Sequence, residues 1–170
     1  MTKDFVFPIL ALSLICLVMA GALALVNDVT GPIIEEAAAV RQLEAMQDII
    51  PTADDFLAIE LAPLPDSIVA AYLAANGDGY IFVARVRGFG GEMRIMTGLG
   101  ADGSFLRSAV LSHSETVSFA NRVFGYRDEL EARGANLLDM DAISGATLTF
   151  RAYQLALREA NAAFEIVRGQ

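Results

Sequence analysis

The chain has no tryptophan, one cysteine and one histidine in 170 residues, and its twelve basic residues face twenty-one acidic ones. Each shortage excludes a class of function. One cysteine, Cys16, allows neither an internal disulfide nor a cysteine-held cluster, and within an apolar run it behaves as a small hydrophobe. One histidine, His113, excludes a histidine-rich metal centre, so no metal site is expected. A net charge of −9 excludes nucleic acid as a partner, because a phosphate backbone demands a basic face. The histidine also lies far from any candidate serine or threonine nucleophile, so no hydrolytic triad and no catalytic residue are assigned.

Apolar residues are abundant, at 55% of the chain, and residues 5–26 form an uncharged run of 22. As a helix this run spans about 33 Å, enough to cross a bilayer core, and Pro8 and Gly21 are tolerable there. Ala22-Leu-Ala24 also resembles a signal-peptidase site, which would leave a soluble secreted domain. A lipid anchor on Cys16 is a third reading, with Ser13-Leu14-Ile15 a poor lead-in. The run is longer than a signal core, and Lys3 before it is opposed by Asp4, so a retained single-pass anchor is expected. Lys3 and the α-amine precede the span, while Asp28, Glu35 and Glu36 follow it. This asymmetry places the N-terminus in the cytoplasm and the following domain on the extracytoplasmic side of the cell (inner) membrane.

The remaining charge is uneven. Residues 28–78 carry ten acids and one base, Arg41, whereas residues 79–170 carry ten acids and ten arginines. The acidic collar reads as a solvated face, or as a surface that orients a basic partner.

In chain order, residues 27–32 are expected as a juxtamembrane turn. Ile33, Ala37, Val40, Leu43, Met46 and Ile50 then mark one face of a helix ending at Pro51, either a stalk or the first helix of the domain. Residues 52–66, with Pro63 and Pro65, read as an irregular connection. Strands are expected over 68–74, 80–87, 92–99 and 105–112. They are joined by Asn76-Gly-Asp-Gly79, Gly88-Phe-Gly-Gly91 and Gly100-Ala-Asp-Gly103, the signature of an antiparallel meander. Met93, Ile95 and Leu99 alternate with Glu92, Arg94 and Met96, so one face is expected to be buried. Short helices are expected over 118–126 and 128–133, with a loop over 134–139. The fold class is therefore α+β: a transmembrane helix over 1–26, an acidic helix and connection over 27–66, and one domain over 67–170 whose antiparallel sheet is flanked by helices.

The last stretch is Asp141-Ala-Ile-Ser-Gly-Ala-Thr147. Beyond it Ala152, Leu155, Ala156, Ala160, Ala163, Phe164 and Val167 recur at helical spacing as far as Arg168. A glycine-containing turn feeding a helix N-terminus offers unpaired N–H groups to a phosphate. Alternatively, Ser144 or Thr147 simply caps the helix.

Asp141-x-x-Ser144-Gly-Ala-Thr147 resembles the flavinylation motif of the FMN-binding domain family. Three further landmarks occur in the family's order: the N-terminal span followed by Asn27-Asp-Val-Thr30, the Gly88-Phe-Gly-Gly91 turn, and Leu111-Ser-His-Ser-Glu-Thr116. Together they cover nearly the whole chain and resemble the G subunits of Rnf electron-transport complexes, which are related to the C subunit of the sodium-translocating NADH:quinone reductase. The resemblance implies FMN joined to Thr147 by a phosphoester that a dedicated flavin transferase makes. Ser144, Gly145 and Ala146 would form the recognition turn, with Asp141 completing the motif. Glu115 and Thr116 match the start of a Glu-Thr-Pro-Gly segment that belongs to the flavin's surroundings. The chain departs from the pattern at Val117-Ser-Phe119, where Pro-Gly-Leu is usual, which implies a reshaped loop. Arg122 and Arg151 are candidates for charge near the flavin, and His113 is either a flavin neighbour or a surface residue.

The implied role is an electron-transfer subunit of an ion-translocating ferredoxin:NAD oxidoreductase, with other membrane subunits as partners, rather than an enzyme by itself. Two alternatives stand beside it: a membrane-anchored extracytoplasmic flavoprotein working alone, and a tethered interaction module without a cofactor.

Overall fold

The computed structural model describes residues 2–60, 64–125 and 144–169, the side chains of residues 2–5 and 119 excepted. The chain divides into two compact units, Met1–Arg41 and Gln42–Gln170.

Helix α1, Thr2–Ile49, runs through the first unit and ends in the second. Leu10 and Leu25 on one side and Leu12 and Leu23 on the other are exposed along it, and it is long and apolar enough to cross a membrane. Leucines facing outward on every side are unfavourable in water and favourable in hydrocarbon, where the helix satisfies its own backbone polar groups. The turn expected over residues 27–32 is helical instead, with Pro32 inside α1. The Thr30 hydroxyl donates to the Val26 carbonyl four residues back at 2.8 Å. A proline removes one helical N–H, and a threonine hydroxyl bonded to the carbonyl four residues back is a helical contact that tends to bend the helix.

In the second unit five antiparallel strands follow one another in sheet order: β1 (Phe56–Ala58), β2 (Ile68–Ala74), β3 (Gly79–Arg87), β4 (Glu92–Gly100) and β5 (Phe105–His113). The expected meander is present almost to the residue. At the β2–β3 turn Gly77 takes φ +79° and Asn76 Oδ1 accepts from the Asp78 N–H at 3.1 Å, the local chemistry that an Asn-Gly pair supplies. At the β4–β5 turn the Ser104 N–H and hydroxyl donate to Asp102 Oδ1 at 2.9 and 2.6 Å, and these bonds hold the Asp102 carboxyl below the usual carboxylate range. A depressed carboxylate contributes stability above its unfolded pKa and loses it as the pH falls.

Strand β1 lies within the stretch expected to be irregular, where it pairs Phe56, Leu57 and Ala58 with Ala74, Leu73 and Tyr72. Three residues are too few for alternation to show in sequence.

Both faces of the sheet are covered. Helix α3, Thr147–Arg168, lays Phe150, Tyr153, Leu157 and Phe164 on Phe82, Ala84, Met93 and Ile95. The last turns of α1 place Met46, Ile49 and Ile50 on the other face, against Ile81, Val83 and Met96. Met96, expected on an open face, is therefore fully buried. The stalk-or-domain alternative resolves in part: the C-terminal end of α1 packs in the second unit, whereas Ile33 and Val40 are exposed in the first. Helix α2, Val117–Phe124, sits close to its expected place. The helix expected over 128–133, the loop over 134–139 and Asp141 lie outside the described residues.

One position on α3 reverses expectation. Leu155 is 45% exposed, and Tyr153 and Leu157 point inward instead, at 1% and 2%. The buried arc is set by Phe150 and Phe164, both at 0%, with Phe164 edge-on to Tyr80 at 5.5 Å between ring centres. Phe164→Ala is expected to destabilise the second unit by about 3–5 kcal/mol. Leu155→Ala is expected to change stability by no more than ~1 kcal/mol. Urea unfolding of the detergent-solubilised chain, followed by far-UV circular dichroism, checks the pair.

Candidate functional site

The site forms where three segments meet: the β3–β4 turn, the segment after β5, and the start of α3. The β3–β4 turn, Gly88-Phe-Gly-Gly91, closes with the Gly88 N–H donating to the Gly91 carbonyl at 2.8 Å. Phe89 at its tip is 66% exposed.

The absence of side chains at this turn makes room for Glu115. A Cβ on Gly88 would lie 2.1 Å from Glu115 Oε1, and one on Gly90 would lie 2.3 Å from the Ser114 carbonyl oxygen. Only glycine lets the turn approach this closely. Glu115 is itself buried, at 6% exposure, contrary to a solvated carboxylate. Its Oε1 accepts the Gly90 N–H at 2.9 Å and its Oε2 accepts the Thr149 hydroxyl at 2.8 Å. A carboxylate removed from water needs such donors, and hydrogen bonds to a charged acceptor are stronger than neutral ones.

Thr149 belongs to the first turn of α3, whose N-cap is Ala146. Alanine has no oxygen with which to cap, and the N-cap position itself falls on neither Ser144 nor Thr147. The turn before it is formed by exposed Ser144 and by Gly145, whose φ of +81° is a left-handed value that favours glycine. Ala146 is buried and Thr147 is half-buried. Two residues along a helix turn the side chain by about 200°. Thr149 therefore faces the core, where it is 1% exposed, and Thr147 is presented on nearly the opposite side.

Thr147 opens on a cavity of about 370 Å³ lined by Phe89, Gly145, Ala146, Thr147 and Leu148. Its walls come from the glycine turn and from the start of α3, the two segments that Glu115 joins. The volume is at the lower end of the range for small-molecule sites, and the mix of an aromatic, an aliphatic and one hydroxyl is typical of them. Arg122, exposed in the last turn of α2, approaches the same place: its Nη1 lies 3.5 Å from where a Cβ would stand on Gly145. A guanidinium beside a helix N-terminus whose N-cap is alanine makes this end of the cavity favourable for an anion.

The residues marked in the sequence fall into groups. Ser144, Gly145, Ala146 and Thr147 form one continuous turn and helix start, and Arg122 is beside it. Glu115 is joined to that start through Thr149 and is not a lining residue of the cavity. Thr116 is exposed at the N-cap of α2 and makes no cap bond there. Val117 and Ser118 begin that helix. Arg151 is exposed one turn beyond Thr147, and His113 is exposed with its ring 5.2 Å from that of Phe124. Thr149 and Phe89 carried no expected role. The signal for Thr149 was weak but real: a threonine between Leu148 and Phe150, at a position that helical spacing turns inward, needs a buried partner.

Comparisons with known proteins cover the segments that meet here. A model of the FMN-binding domain family matches residues 88–162, from the glycine turn well into α3. The chain is 34% identical to the G subunit of the ion-translocating oxidoreductase complex of Cereibacter sphaeroides, over 84% of this chain and 76% of that one. It is 27% identical to the G subunit of the Na(+)-translocating ferredoxin:NAD(+) oxidoreductase complex of Acetobacterium woodii, over 84% and 83%. It is also 27% identical to the G subunit of the ion-translocating oxidoreductase complex of Methanosarcina acetivorans, over 94% of each chain.

The contact between Gly88 and Glu115 yields a stability test. Gly88→Ala is expected to destabilise the second unit by about 1–3 kcal/mol, because the new methyl group overlaps the carboxylate. In a Glu115→Ala background the same change is expected to lose most of that effect, a coupling measured by a double-mutant cycle in urea.

Proposed function

Because this chain belongs to the family of G subunits of ion-translocating oxidoreductase complexes, we propose that it is a membrane-anchored electron-transfer subunit carrying FMN esterified to Thr147. The observation that carries the reading is the presentation of Thr147: a half-buried residue at the first position of a helix whose N-cap is alanine, opening on a cavity with an aromatic wall.

The residues fit such a group at both of its ends. A phosphate at Thr147 has the N-terminus of α3 behind it and the Arg122 guanidinium beside it, both complementary to negative charge. A flat ring system beyond the phosphate would find apolar contact on Phe89 and Leu148. Ser144, Gly145 and Ala146 are the small residues that an attacking transferase must pass, and Asp141 completes the motif it reads. Glu115 and Thr116 belong to the cofactor's surroundings, with Glu115 acting from beneath.

Attachment joins Thr147 Oγ1 to the FMN phosphorus as a phosphoanhydride bond of a donor flavin nucleotide breaks. The leaving phosphate departs with the electron pair, and the hydroxyl proton passes to a base of the flavin transferase. Once bound, the flavin supplies the redox chemistry, while this chain holds it, shields it and sets the charge around it. Electrons enter and leave through other membrane subunits of an Rnf-type complex. The apolar part of α1 serves as a single-pass anchor in the cell (inner) membrane, with the N-terminus cytoplasmic and the FMN domain extracytoplasmic.

The chain expressed with its native flavin transferase is expected to give a band that fluoresces as flavin on a denaturing gel. Thr147→Ala is expected to give none, while Ser144→Ala keeps part of the signal because its hydroxyl is not the acceptor. A dark wild-type band in the presence of active transferase sinks the proposal.

A further inference from the structure

We propose that Glu115 and Thr149 form a latch that aligns Thr147 for flavin attachment, which makes them positioning residues. The proposal rests on the reading of Thr147 as the attachment site and concerns how that threonine is held.

The cavity beside Thr147 has two walls that are far apart in sequence: Phe89 on the glycine turn, and residues 145–148 at the start of α3. The Glu115 side chain joins the two segments. Glu115 accepts the N–H of Gly90, next to Phe89, with one oxygen, and the hydroxyl of Thr149, two residues beyond Thr147, with the other. Both partners are rigidly placed. Gly90 is packed against the Ser114 and Glu115 backbone, where a Cβ would lie 2.9 Å from the Glu115 Cα. Thr149 is 1% exposed within the first turn of a 22-residue helix. The helix transmits the constraint, because the angular offset between Thr149 and Thr147 is fixed. Drawing Thr149 inward fixes both the depth and the rotation at which Thr147 meets the cavity.

Ala146 supplies no cap bond, and such a bond is the usual means of fixing a helix start. The buried carboxylate takes over that role from the inner side and leaves the outer side of the turn to the ligand. Glu115 does not line the cavity on which Thr147 opens, and each of its oxygens meets a donor within the protein, so its part is to align the site.

The test uses the full chain in detergent micelles, purified without flavin, with purified transferase and its flavin nucleotide donor. Initial labelling rates are read as in-gel flavin fluorescence. Thr149→Val keeps the volume and removes the hydroxyl. Its maximal labelling rate is expected to fall on the order of tenfold or more, while the chain concentration at half-maximal rate changes by less than about threefold. Thr149→Ser restores the donor, and Glu115→Gln keeps an oxygen for Gly90 and a polar partner for Thr149. Both are expected to label within about threefold of wild type, which a proton-transfer role for Glu115 does not permit. Thermal unfolding of each variant accompanies the rates, and if Thr149→Val does not fold, Thr149→Ala carries the same comparison. Labelling of the folded hydroxyl-free variant at the wild-type rate overturns the latch, as does complete loss of labelling in a folded Glu115→Gln. Either result leaves the attachment site standing, provided the wild type is labelled and Thr147→Ala is not. An unlabelled wild type instead removes the reading beneath it.

Discussion

The carboxylate of Glu115 is the interaction on which the local structure depends. A buried carboxyl group is unfavourable unless its oxygens are met by donors, and here a backbone N–H and a threonine hydroxyl meet them from different segments. Several sequence choices follow from that one need. The β3–β4 turn carries glycine at positions 88 and 90 because side chains there would occupy the space of Glu115 and its neighbour. The first turn of α3 carries threonine at 149 because an aliphatic residue would leave one oxygen without a partner. The segment after β5 cannot stand off from the sheet, since its glutamate is held beneath the turn.

The sheet supplies the platform. Its two faces are covered by elements from opposite ends of the chain, α3 on one and the end of α1 on the other. Residues that are apolar on both faces of β3 and β4 therefore have partners on both sides, which explains why Met96 and Ile81 are as buried as Met93 and Ile95. With α3 packed along the sheet, the position of its first turn is set by the long contact that follows it. The latch then has only a local adjustment to make.

Much of this was legible in the sequence. The four long strands and their turns follow from alternation between glycine-rich pairs, and α3 follows from its apolar spacing and the turn before it. Legibility failed where the deciding contact was remote. Strand β1 is defined by its pairing with β2 and not by its own three residues. Leu155 and Tyr153 are both compatible with a helical stripe, and only the fit of Phe150 and Phe164 to the sheet decides which turns inward. In the site, the motif residues announced themselves as a group because they are contiguous. Glu115 was visible as a candidate, but its burial was not, because its two donors lie 25 residues before it and 34 after it. The inward position of Thr149 follows from helical spacing, but its partner does not, because that contact exists only once the chain has folded back on itself.

The modest size of the cavity beside Thr147 has a consequence for how tightly it must hold anything. A free ligand that binds in a small, partly open recess must recover its lost translational freedom from contacts alone. A group esterified at the rim never leaves, so its effective concentration in the recess is on the order of millimolar or higher whatever the surroundings contain. With the proposed attachment at Thr147, weak contacts with Phe89 and Leu148 would be sufficient to keep the flavin seated most of the time. The same looseness allows it to lean outward and return without being lost. A carrier that passes charge between neighbours has use for that property, and a deep pocket would remove it.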